Sequence, residues 1–191
     1  MTFGKRMVIG GCGLALLVVL AIPFGGLIDS EPNEWKRLSG DGISWALPAG
    51  WVADDPFTMQ TPYTTYLWFH DFPAHDTRMA LIRSADRGTD LIVMFGDRAT
   101  LATPARTSFT TYDDHPLVSP IGEDDLVTAD AVPMHWKAVR MAPGLVGGND
   151  VTFFLAYATC GKNALVVCGG GLTDDFDLDH SIEFLESLSL P

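Results

Sequence analysis

The chain has 191 residues, of which 47% are apolar, and carries 12 Lys+Arg against 24 Asp+Glu for a formal charge of −12. That length supports one globular domain plus an appendage. The acidic excess argues against nucleic acid or an anionic membrane surface as a partner, because phosphates would be repelled.

The appendage is N-terminal. Lys5 and Arg6 precede an uncharged apolar stretch, "MVIGGCGLALLVVLAIPFGGLI", residues 7–28. At about 1.5 Å of rise per residue, such a stretch can cross a bilayer as a helix. Residues 1–28 are therefore expected to be a membrane anchor or a signal peptide. The best small-residue cleavage site, Val19-Leu20-Ala21, lies before Pro23 and further apolar residues, which favours the uncleaved anchor. "IGGC", ending at Cys12, has the form of a bacterial lipid-attachment box, but most of the apolar core follows that cysteine instead of preceding it. Cations before the span and Asp29, Glu31 and Glu34 after it place the N-terminus inside and the domain outside the cytoplasm. Without residues 1–28, 10 Lys+Arg face 24 Asp+Glu, a charge of −14.

Residues 29–42, "DSEPNEWKRLSGDG", are polar with Pro and Gly and are expected to be a linker to a domain over 43–191. Ile43, Trp45 and Leu47 alternate with Ser44 and Ala46, the pattern of a strand, and Pro48 and Gly50 end it. "TTYLWFH" (64–70) is rich in β-formers. Two strands are predicted over 79–84 and 90–95, around an Asp-Arg-Gly-Thr turn. A helix over 97–112 is interrupted by Pro104. A short strand near 125–128 precedes "VPMHWKAVRM", "DVTFFLAYAT" and "NALVVCGG", joined by brief Gly-containing links. Links that short between β-rich runs predict an antiparallel meander. Val151, Phe153, Leu155 and Tyr157 alternate with Thr152, Phe154, Ala156 and Ala158, so this strand is expected to be covered on both faces.

The acidic run "DFDLDHSIEFLE" (175–186) places carboxylates at the first, third, fifth, ninth and twelfth positions of a calcium loop. The sixth position, which needs glycine for its sharp turn, is His180. The helical reading explains more. Leu178, Ile182, Leu185 and Ser189 share one face, with Leu188 close by. Asp179, Glu183 and Glu186 share the opposite face, and Asp174 or Asp177 can cap the start.

"ISWALPAGW" resembles the opening strand of the PsbP/DcrB-like α/β-sandwich superfamily. "FFLAYATCGKNALVVCGGGLTDDFDLDHSIEFLESLSL" resembles its closing hairpin and last helix. The resemblance covers 43–51 and roughly 132–190. It implies an α+β fold, an antiparallel sheet meander with helices packed on it, and accessory or interaction roles without shared catalytic residues.

"HDFPAHD" holds His70, Asp71, His75 and Asp76, which are metal-ligand types, but the spacing fixes no third ligand, and a polar connection is expected. Cys160 and Cys168 flank a hairpin turn at offsets too unequal for a bridge, since α-carbons beyond about 7 Å cannot be joined. "CGGGLTDD" lacks the spacing of a phosphate loop, and Asp174 and Asp175 would repel a phosphate. There is no GxSxG elbow and no HExxH pair. Trp35, Trp45, Trp51, Trp68 and Trp136 are expected to pack core and rim.

No catalytic, cofactor-binding or metal-binding residue is assigned, and no cofactor is expected. The expected function is a membrane-tethered accessory domain outside the cytoplasm that binds an unidentified protein partner. The alternative is a small-ligand or lipid-binding pocket between sheet and helices. A hydrolase would need His115 or His135 in a cleft beside Ser and Asp.

Overall fold

The computed structural model describes residues 35–37, 42–55, 57–58, 64–65, 72–73, 77–102, 105, 114–145 and 148–190. The apolar segment 1–28 and the four candidate ligands His70, Asp71, His75 and Asp76 lie outside the described residues. Among the described residues no helix is long and apolar enough to cross a membrane.

Two short strands open the domain, β1 (Trp35–Arg37) and β2 (Ser44–Ala46), paired antiparallel with Trp35 opposite Ala46. Strand β1 thus falls within the stretch 29–42. Then come β3 (Val52–Ala53), β4 (Phe57–Thr58), β5 (Thr64–Thr65) and β6 (Phe72–Pro73). The long strands follow: β7 (Arg78–Arg83), β8 (Asp90–Asp97), β9 (Val118–Val127), β10 (Pro133–Met141), β11 (Val151–Cys160) and β12 (Asn163–Leu172). A terminal helix, Leu178–Glu186, completes the order.

The main sheet has eight strands in the order β3-β7-β8-β12-β11-β10-β9, with β4 beside β7, and every pairing is antiparallel. The expected meander holds for β9 through β12 and for β7–β8. It does not hold between them, because the chain leaves β8 and returns at the far edge as β9. Residues 98–102 are helical at the start of that crossover. Leu101 and Ala105 from this connection pack against the sheet with Met79, Met94, Phe153, Leu155 and Val166.

The opposite face carries the larger core. Trp45, Phe154, Phe184, Ile43 and Ile82 are fully buried there, and the terminal helix and β2 cover it. Burying a side chain of this size contributes about 1.5–3 kcal/mol, so the helix is held mainly by its apolar face. That face is centred differently from the expected one. Ser181, Phe184 and Leu185 are buried, whereas Leu178 and Ile182 are half-buried at its margin. Strand β11 alternates as expected, with Phe154, Ala156 and Ala158 toward the helix and Phe153, Leu155 and Tyr157 toward the other layer.

Strand β9 is ten residues long, where a short strand near 125–128 was expected. Pro120, Gly122 and the run Glu123-Asp124-Asp125 are poor β-formers, which hides the strand from a propensity reading. All of them are tolerable at an edge. An edge strand can spare a proline N–H, and charged side chains discourage pairing with other chains. A bulge at Ala138/Val139 shifts the β9–β10 register. A Cβ on Gly122 would lie 2.9 Å from the Trp136 ring, so only glycine leaves room for the indole.

Candidate functional site

The polar side chains of the β9–β10 edge meet because of register. His135 lies opposite Asp125, and Lys137 opposite Glu123. The His135 ring approaches Asp125 Oδ1 through Nδ1 at 2.9 Å and Glu123 Oε1 through Nε2 at 3.0 Å. Carboxylates only accept, so the ring donates to both at once only when doubly protonated. Lys137 Nζ lies 3.5 Å from Glu123 Oε2. The two acids sit at opposite ring nitrogens and do not converge on one point. Among the described residues no group of three or more His, Cys, Asp or Glu could hold a metal ion.

Beside this ladder is an open groove of ≈ 610 Å³. Leu126, Val127, Pro133 and Met134 supply apolar wall, Asp125 lies at one side, and the helix end adds Glu186. Val127 is 59% exposed. Tyr157 also lines the groove, and its hydroxyl oxygen is buried without a hydrogen-bond partner. Such a group ordinarily finds one, because an unsatisfied buried hydroxyl costs about 1–3 kcal/mol.

The other sequence candidates are dispersed. Asp177 caps the terminal helix, accepting the backbone N–H of His180 at 3.1 Å, and its own backbone N–H donates to Thr89 Oγ1 at 2.8 Å. Asp179, Glu183 and Glu186 project from the exposed side of the helix. The helix begins at Leu178, where a calcium loop starting at Asp175 would still be turning around its ion. Gly169, Gly170 and Gly171 stand inside β12 and not in a loop before a helix. A Cβ at Gly169 would lie 2.0 Å from the Asp90 carbonyl oxygen, which accounts for a glycine in that strand.

Cys160 pairs with Asn163 and Cys168 with Leu155, so the two cysteines stand at different levels of the hairpin. Burial pushes the Cys168 thiol up to about 12. His115 Nδ1 accepts the Leu117 backbone N–H at 3.2 Å and so serves its own turn. Both nitrogens of His135 face carboxylates, which leaves neither placed to take a proton from a serine. Trp45, Trp51 and Trp136 are core residues. Trp68 lies outside the described residues, and the Trp35 side chain is not described.

The groove and the Glu123–His135–Asp125 ladder were not legible beforehand. Cross-strand neighbours ten and twelve positions apart leave no spacing signature, although "EDDLVTADAVPMHW" holds all three residues on either side of a recognisable turn.

No family model and no curated protein matches the sequence. Solved structures do match. The solution structure of cyanobacterial PsbP (CyanoP) from Synechocystis sp. PCC 6803 superposes with a TM-score of 0.51 at 16% identity, over 88% of this chain and 99% of that one. A crystal structure from Bacteroides thetaiotaomicron VPI-5482 has a TM-score of 0.48 at 10% identity, over 84% of this chain and 49% of that one. With the sheet order and the helix on one face, the first of these similarities identifies the chain as having a PsbP-like fold.

Proposed function

We propose that this domain is a non-catalytic accessory module that binds another protein. In this reading residues 1–28 tether it to a membrane and 43–191 lie outside the cytoplasm. The single observation that carries the protein-binding part is the distribution of exposed apolar side chains. Among the described residues, Leu117 (39%), Ile121 (42%) and Val127 (59%) lie along or just before β9, with Val52 and Leu172 exposed elsewhere, while both faces of the sheet are packed by other elements. Apolar side chains spaced along an edge, with Glu123 and Asp125 between Ile121 and Val127, make an amphipathic surface suited to a protein partner. The open, unenclosed shape of the groove favours a macromolecular partner over a small ligand held between sheet and helices. The polar groups that could do acid–base work are tied into pairs at an exposed edge, which supports a role without catalysis.

The test is recovery of a partner from crosslinked membranes with the full chain and with the Ile121→Asp/Val127→Asp double variant. The expected result is a protein recovered with the native chain and lost with the variant, which melts like the native chain because both positions are exposed. Equal recovery with both chains, or with neither, would overturn the reading.

A further inference from the structure

We propose that the partner presents an extended segment with lysine or arginine beside an apolar side chain, and that this segment seats in the groove between β9, β10 and the end of the terminal helix. The inference rests on the protein-binding reading above and adds the chemistry of what is bound.

The groove offers two kinds of surface. Leu126, Val127, Pro133 and Met134 accept an apolar side chain, and Val127, more than half exposed, is available to be covered. Charge decides the rest. Of the residues that line the groove, Asp125 and Glu186 are acidic and His135 alone can carry a positive charge; beside it, Glu123 is paired with His135 and Lys137. The surplus is negative whatever the state of the imidazole. It therefore attracts a cationic segment and repels an acidic one. The same sign disfavours an anionic lipid surface.

The edge itself argues for docking by side chains and not by addition of a strand. Pro120 has no N–H to give. The Asp125 N–H donates to Asp124 Oδ1 at 2.8 Å, inside its own strand. A continuous ladder is therefore interrupted, and recognition falls to the groove.

The probe is a short acetylated and amidated peptide of alternating valine and lysine, titrated into the full chain in detergent. Peptides with glutamate for lysine, or glycine for valine, are the controls. Saturable binding of the lysine–valine peptide is expected, weakened by salt, with NMR signals of Val127, Met134 and Tyr157 shifting. The Asp125→Asn/Glu186→Gln double variant, changed only at exposed positions, is expected to melt like the native chain and bind about tenfold more weakly, as loss of rim charge does. Equal binding of the glutamate peptide, an unaffected double variant, shifts elsewhere on the domain, or no binding would each overturn the proposal. A concentration-dependent dimer abolished by the double variant would place a second copy of the chain in the groove, which also overturns it. If a partner is lost with Ile121→Asp/Val127→Asp but retained with Asp125→Asn/Glu186→Gln, the protein-binding reading stands and the basic segment falls.

Discussion

His180 shows how one side chain can be unsuited to one structure and suited to another. Its bulk bars the glycine turn of a calcium loop. At the third position of a capped helix it gives its backbone N–H to Asp177 and turns its ring Nδ1 to the other oxygen of the same carboxylate. That hydrogen bond raises the pKa of the imidazole above its ordinary 6.5, and the nearby Asp177, Glu183 and Asp179 charges act the same way. A raised folded-state pKa adds stability that is complete below the unfolded value and is lost as pH rises through the folded one. The His180 ring is therefore expected to titrate above 6.5 by NMR and to move down toward it in Asp177→Asn. Coincident titrations would show that the pair does not form in solution. The cap was legible from sequence, since an acid before an amphipathic run is a local signal. The tilted contact of the His180 ring with Trp51, at 6.4 Å between centroids, was not, because it joins distant parts of the chain.

Among the elements, those with strong periodicity were legible and those at an edge were not. β7, β8, β10, β11 and β12 alternate or run apolar because both of their faces are buried, and each was expected within a few residues. β9 has one partner strand among the described residues and mostly exposed side chains, so its residues answer to solvent and not to a core. The terminal helix was legible in place and polarity, but Phe184, the largest side chain it buries, was not assigned to its inner face. Leu185 is fully buried, and Leu185→Asp is expected to cost about 3–5 kcal/mol by placing a charge among apolar side chains. Asp179→Asn on the exposed side is expected to change stability by about 0.5 kcal/mol or less. Thermal melts of the two variants that coincide would refute the face assignment. The β11–β12 hairpin carries its own check. Its turn is Gly161-Lys162, and Gly161 has a φ of 58°, which glycine adopts without strain. In a Cys12→Ser chain, Cys168 is expected to resist alkylation until denaturant is added. Rapid modification in the native state would contradict its burial.

The fold class was legible because short glycine links between β-rich runs leave few arrangements other than an antiparallel sheet. The strand order was less so. Whether the β9–β12 meander lies beside β8 through β12 or through β9 depends on a crossover over the second apolar layer, and no local residue pattern specifies that choice. The proposed placement of the domain outside the cytoplasm is argued from Lys5, Arg6 and the acids after residue 28. Protease added outside intact spheroplasts is expected to digest residues after 30. Protection that ends only on lysis would reverse the orientation.

The two ends of the domain close on each other. Ser44 and Ser189 exchange backbone hydrogen bonds at 3.0 and 2.8 Å, and Ser187 Oγ bridges both backbone groups of Ala46. Asp130 and Ala129 hold the same closing segment from the other side. A ribosome that has reached the middle of this domain has made β2 but none of residues 187–190, so the strand waits with its ladder groups open. Completion of the fold is thereby delayed until synthesis has passed Leu190. The fold is therefore closed by its last residues, and it locks only once the whole domain has been made.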